Sequence, residues 1–149
     1  LRGNKDFGKA PVVMSLEDRV MNHVPPLDPL DFASQIDDLR VLQDGWYDGR
    51  GKAPSAMGLD WLLAAFVENY PDDLPQPYVY PVAEGDVRLE WDLGSHSLSL
   101  EIDPIRRIGL WHDLDLNRDH DESQTLAMDH ADGWSWVANR IQELSGGPA

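Results

Sequence analysis

From Asp86 to Asp103 the chain alternates apolar and polar residues with a period of two, and the pattern is interrupted once, at Gly94-Ser95. Val87, Leu89, Trp91 and Leu93 interleave with Asp86, Arg88, Glu90 and Asp92, which suits a strand with one buried face and does not suit a helix. The alternation resumes through Leu98, Leu100 and Ile102, and a glycine first in a two-residue loop suits a type II′ hairpin. Folding about that loop sets Trp91 opposite Leu98, Leu89 opposite Leu100 and Val87 opposite Ile102 on one face. On the other face Arg88 meets Glu101 and Glu90 meets Ser99.

The sheet extends from this hairpin in both directions, over residues 77–116. Upstream, Tyr78, Tyr80 and Val82 alternate with Val79 and Pro81, and a loop of Ala83–Asp86 places Val82 beside Val87 and Tyr80 beside Leu89. Pro81 has no N–H to give to a ladder, so this strand belongs at an edge or leaves that position unpaired. Downstream, a loop of Pro104-Ile105-Arg106 sets Ile102 opposite Ile108, Leu100 opposite Leu110 and Asp103 opposite Arg107. Strict alternation then turns His112 toward the core and Trp111 toward solvent. This calls for a bulge near Gly109 or for something that covers an outward Trp111.

Helical patterns flank the sheet. Residues 1–29 hold Gly3, Gly8, Pro11, Pro25, Pro26 and Pro29 with little periodicity beyond a short helix from Ser15 to about His23, and read as a flexible arm. The chain begins with leucine, while Met14-Ser-Leu-Glu has the form of a start followed by a capping pattern. A domain over 30–145 and a short tail, 146–149, complete the division. From Asp31 to about Gln43, Phe32, Ile36, Leu39 and Leu42 share a stripe that Gly45 should end. Ser55 caps a second helix with Leu59, Leu62, Leu63, Phe66, Val67 and Tyr70 on its apolar face, stopped by Pro71. Pro71–Pro77 is then a stiff linker. After a polar loop from Asp113 to Ser123, Thr125–Asp129 adds a strand with Leu126 and Met128 on one side. Asp132 caps a last helix striped by Trp134, Val137, Ile141 and Leu144. Two helices, then a meander of four to five antiparallel strands, then one helix define an α+β fold with the helices on one face.

A single chain of 149 residues without cysteine can bury roughly 70% of its unfolded surface and needs no disulfide. No run approaches the ~18 apolar residues of a spanning helix, and the composition points to a soluble, cytoplasmic protein. Twenty-seven acidic against twelve basic side chains leave a net charge of −15. Such a surface repels phosphate backbones and anionic membranes and attracts basic proteins. Direct nucleic-acid binding and membrane attachment are therefore disfavoured, and Arg2, Lys5, Lys9 and Arg19 in the arm leave the remainder more acidic still.

Two stretches invite chemistry. His112 to Glu122 concentrates oxygen ligands, and Asp113, Asp115, Asn117, Asp119 and Asp121 are the candidate set for a metal-dependent hydrolase or a calcium-binding module. The spacing departs from an EF-hand, which read from Asp113 would need glycine where Arg118 stands and glutamate where Gln124 stands. Glu90 and Glu101 form a carboxylate pair on the polar face, but Arg88 and Ser99 opposite them are the ordinary dressing of a solvated sheet. The histidines form no metalloprotease pattern, no serine lies in a nucleophile elbow, and Gly49-Arg-Gly-Lys52 lacks the ending of a phosphate loop. The loop Asp44–Pro54 holds three glycines beside Trp46 and Tyr47. These aromatics read either as plugs over the helix ends or, with neighbouring carboxylates, as anchors for a basic partner.

The stretches Asp44-Gly-Trp-Tyr-Asp-Gly-Arg-Gly-Lys-Ala-Pro-Ser55, Asp72-Asp-Leu-Pro-Gln-Pro-Tyr-Val-Tyr-Pro81, Val87-Arg-Leu-Glu-Trp91 and Ser99-Leu-Glu-Ile-Asp103 together resemble a family of small, acidic, uncharacterised bacterial proteins. The resemblance spans residues 36–145. It implies accessory genes of chromosomes and mobile elements, hence roles in partner inhibition, and it carries over no catalytic residue and no cofactor. The sequence reading is thus a non-catalytic binding module of the antitoxin, immunity-protein or nucleic-acid-mimic kind. It would engage a basic protein through Trp46, Tyr47, Glu90, Asp92, Glu101 and Trp111.

Overall fold

The computed structural model describes residues 31–146. The expected 1–29 arm, with its helix from Ser15 to about His23, and residues 147–149 of the tail lie outside the described residues. The elements run α1 (Phe32–Arg40), α2 (Ala56–Asn69), β1 (Tyr78–Pro81), β2 (Val87–Leu93), β3 (His96–Asp103), β4 (Ile108–Asp115), β5 (His120–Ala127) and α3 (Ala131–Ser145). The five strands form one antiparallel sheet in chain order, with β1 and β5 at its edges, so the α+β meander expected from the sequence is the architecture.

The central hairpin has the expected register: Val87 faces Ile102, Leu89 faces Leu100 and Trp91 faces Leu98. Gly94 supplies the left-handed conformation its turn requires, with φ of +61°. Two outer registers differ from expectation by one residue. In β1, Val79 faces Leu89 and Pro81 faces Val87, so Val79 is buried and Tyr78 and Tyr80 turn to the opposite face. The loop tightens by a Val82 N–H bond to the Asp86 carbonyl, which pairs Val82 with Asp86 rather than Val87.

In β4, Asp103 faces Ile108 and Leu100 faces Trp111. The connecting loop is four residues, 104–107, rather than three, because Arg107 adopts a positive φ of +62° and adds a residue before pairing begins. That single step turns Trp111 inward without a bulge, leaves it fully buried, and exposes Ile108 and Leu110. Gly109 faces inward as well, where a Cβ would lie 2.8 Å from Leu100 Cδ1, so the strand can sit this close to the core only with glycine there.

The expected polar loop after Asp113 is a β-hairpin: β4 continues to Asp115 and β5 starts at His120. Its turn places Asp119 at φ +53°, a conformation that aspartate tolerates better than most residues.

The helices pack on one face of the sheet. Asp31 caps α1 by accepting from the Ser34 N–H, and Ser55 caps α2 by accepting from the Gly58 N–H. Helix α1 ends at Arg40, short of Gly45. In α2, Leu59, Leu62, Phe66 and Tyr70 are buried, whereas Val67 is exposed, at the margin of the expected stripe. Helix α3 starts behind His130, which makes no side-chain cap, and Asp132 lies in its first turn rather than capping it.

A chain of aromatic contacts crosses the core. Phe32 stacks on Phe66 at 3.8 Å between centroids, Phe66 meets Tyr70 and Trp134, Tyr70 meets Trp91, and Trp111 lies between Trp91 and Trp136. Burying each large apolar side chain contributes about 1.5–3 kcal/mol. Truncating fully buried Leu89 to alanine would cost about 2–5 kcal/mol. The linker is held from both sides: the Tyr70 hydroxyl and the Trp91 indole N–H donate to the Pro75 carbonyl, and Gln35 Nε2 donates to the Pro77 carbonyl.

Candidate protein-binding face

Because all helices lie against one side, the other side of the sheet carries no packed layer among the described residues. Pairing registers give its layout. Tyr80, Arg88, Glu101, Leu110 and Thr125 form one row across the strands, followed by Tyr78, Glu90, Ser99, His112 and Ser123. Asp92, Ser97, Leu114 and Asp121 form the next row.

Arg88 is the cation among the acids here. Its guanidinium lies 3.0 Å from Glu101 Oε1 and 3.7 Å from Glu90 Oε2. Partial burial pushes the Glu90 carboxyl above its usual range, with Arg88 opposing the shift and Asp92 reinforcing it. Asp92 is exposed.

At the β1–β2 end of the face, Asp86, Glu101, Asp103 and Arg106 surround a shallow depression of about 280 Å3 that Ile108 and Leu110 also line, with Arg106 Nε 3.7 Å from an Asp103 oxygen. Burial and then the charges of Asp103, Glu101 and Glu84 push the Asp86 carboxyl up to about 6. Asp103 is already engaged, since one carboxylate oxygen accepts from the Ile105 and Arg106 N–H groups. The sequence reading missed Asp86 and Asp103, together with the outward Tyr78, Tyr80, Ile108 and Leu110. All but Asp86 and Asp103 depend on the two one-residue register steps. The signal for β4 was present in Gly109, which suits an inward position of close approach better than an outward one.

Of the six residues expected to meet a partner, Glu90, Asp92 and Glu101 share this face. Trp46 and Tyr47 stand apart, on the 44–54 loop. There the Trp46 indole N–H donates to the Lys52 carbonyl, Tyr47 and Arg50 pair their backbones, and Asp44 accepts from the Ala53 N–H. Trp46 is half-buried and Tyr47 exposed, so neither is a core plug. A bond from the Lys52 N–H to the Ala83 carbonyl fixes this loop to the β1–β2 turn, at the Asp86 end of the sheet. Trp111 is a correction: with none of its surface accessible it cannot touch a partner.

The candidate metal ligands are divided between the two faces. Asp113 and Asp115 point inward, while Asp121 points outward beside His112. Asp113 is buried between two side chains of the protein, 2.8 Å from His96 Nδ1 and 3.3 Å from an Arg140 nitrogen. Asp115 accepts from the Ser95 hydroxyl and the Asn117 N–H, and those hydrogen bonds hold its carboxyl below the usual range. Among the described residues no group of three or more His, Cys, Asp or Glu side chains is arranged to hold a metal ion. Asp113 and Asp115, two apart on β4, share the inner side, Asp121 on β5 takes the outer side, and Asn117 and Asp119 lie in the turn between, because the pleat sends successive residues of a strand to opposite sides.

No helix among the described residues is long and apolar enough to cross a membrane. No protein-family model, curated protein or solved structure matches the chain.

Proposed function

We propose that the chain is a non-catalytic protein-binding module whose open sheet face engages a basic partner protein. The observation that carries this reading is the face itself. Among the described residues it is a five-stranded surface without a helical layer, on which the five carboxylates of Glu90, Asp92, Glu101, Asp86 and Asp103 outnumber the two cations Arg88 and Arg106, with exposed Ile108 and Leu110 beside them. Exposed apolar area contributes affinity at the centre of such an interface, while carboxylates steer encounter and select the partner's charge. The net charge of −15 acts in the same direction. An antitoxin, an immunity protein or a mimic of nucleic acid would each use such a surface, and the family resemblance in the sequence favours those roles.

The test is capture from the native host at low salt with tagged protein, followed by stepped salt elution and mass spectrometry. One stoichiometric basic protein, released by salt and lost after Glu90→Lys with Asp92→Lys, is the expected result. Capture that is insensitive to both salt and charge reversal would overturn the reading.

A further inference from the structure

The two edges of the sheet are finished differently. Edge β1 is short and ends in Pro81, and it is closed by a side chain: Gln35, itself buried, accepts from the Val79 N–H at 2.9 Å and donates to the Pro77 carbonyl at 3.0 Å. This is the pairing that a neighbouring strand would make, so no further strand can add there.

Edge β5 is twice as long, at eight residues, and contains neither proline nor lysine. The Met128 N–H donates to the Arg107 carbonyl at 2.9 Å. Ladder bonds recur at every second residue, so Leu126, Gln124 and Glu122 direct their backbone groups at β4. Asp121, Ser123 and Thr125 direct theirs away from the sheet. Among the described residues no hydrogen bond is made to those outward groups, and all three residues are exposed. The first turn of α3 closes over the Ala127 carbonyl, which marks the end of the open stretch.

We infer that the β5 edge at Asp121, Ser123 and Thr125 takes up an extended basic segment of a partner protein as a sixth strand. The inference rests on the proposed reading of a basic partner and adds where and in what conformation it binds. Charge selects the occupant. Asp119 in the turn and Asp121 beside His112 lie at the outer side of this edge, Glu122 lies on the inner side beside Arg140, and the chain as a whole carries a net charge of −15. A second copy aligned on it would therefore bring like charges together, whereas lysine or arginine side chains on an added strand would lie beside Asp119 and Asp121. Backbone pairing supplies affinity that does not depend on partner sequence, and side chains on the open face of the new strand would extend the three rows that end at Asp121, Ser123 and Thr125.

The probe is an end-blocked octapeptide of alternating lysine and threonine, titrated into isotope-labelled protein at low salt. The expected result is amide shifts and slowed exchange at Asp121, Ser123 and Thr125. Affinity should fall at least about tenfold for Ser123→Pro, which removes an outward donor and no ladder bond, and for the same peptide N-methylated throughout, which keeps its charge. If Ser123→Pro fails to fold, the methylated peptide against the native chain decides. Undiminished binding in both controls would overturn strand addition. Should Glu90→Lys with Asp92→Lys weaken that undiminished binding, the open-face reading would survive. Should those changes also have no effect, or should the peptide not bind at low salt, both would fall. Self-association by sedimentation that Ser123→Pro abolishes would assign the edge to a second copy and overturn the proposal.

Discussion

Gln35 of α1 and Val79 of β1, forty-four positions apart, are joined by a buried hydrogen bond in which the glutamine side chain stands in for a sixth strand. The same amide reaches the Pro77 carbonyl, so one side chain fixes α1 to the sheet and satisfies two main-chain groups at its edge. Replacing it with leucine keeps the volume and strands both groups. Gln35→Leu should cost about 2–4 kcal/mol in urea unfolding and speed amide exchange at Val79. A loss below about 0.5 kcal/mol would show that the two groups find other partners.

Asp113 and Asp119 are six residues apart in the same acidic stretch and differ in their surroundings. The Asp113 side chain is only 3% exposed and lies between His96 and Arg140. Removing Arg140 as leucine leaves Asp113 a buried charge with one partner fewer and should cost about 3 kcal/mol. Asp119 occupies a left-handed turn position, φ +53°. Asp119→Gly should be neutral or stabilise by up to about 1 kcal/mol. A calcium-dependent rise in Tm that Asp119→Gly removes would contradict this pairing and restore the loop as a cation site.

Asp86 gives the stability a pH dependence of defined sign. Its folded-state carboxyl is pushed up to about 6 from an ordinary value of 3.8, by burial and then by Asp103, Glu101 and Glu84. With the folded value raised, the contribution is fully present below about pH 4 and is lost as pH rises through about 6. Asp31 and Asp115, whose values are lowered by hydrogen bonds, act in the opposite direction at more acid pH. Asp86→Asn should therefore stabilise by about 1 kcal/mol at pH 7.5, allowing for solvent screening, and the gain should vanish near pH 4. Parallel unfolding curves for the two proteins across that range would refute the assignment.

How much of this was legible follows from where the information lies. The β2–β3 hairpin is local: a two-residue turn and a period of two fix its register completely, and Val87, Leu89 and Trp91 face the partners read from sequence. The cap at Ser55 is local too. The β3–β4 loop is not, because whether Arg107 joins the loop or the strand depends on one backbone torsion whose cost is offset by burying Trp111 rather than Leu110. Of β5 only the end was legible, in the strand expected from Thr125, while its first half was hidden for a similar reason. Asp121, Glu122, Ser123 and Gln124 carry no apolar alternation, since an edge strand exposed along most of its length has no core to face. The open face was legible in its centre, at Glu90 and Glu101, and illegible at its margins, where the register steps occur.

The same step that buried Trp111 left a mark that a substitution can read. Trp111 and Trp134 are both buried, yet the Trp134 indole N–H donates to the Met128 carbonyl at 2.9 Å, whereas the Trp111 indole nitrogen has no hydrogen-bond partner among the described residues. Phenylalanine removes an N–H and part of a ring at either site, so the loss of packing is similar. At Trp134 the change also strands a carbonyl, while at Trp111 it relieves an unmatched donor, and the two polar terms have opposite sign. Trp134→Phe should cost about 1–3 kcal/mol more than Trp111→Phe in urea unfolding. Equal losses would mean that the Trp111 N–H is satisfied in solution and that its inward position carries no polar cost.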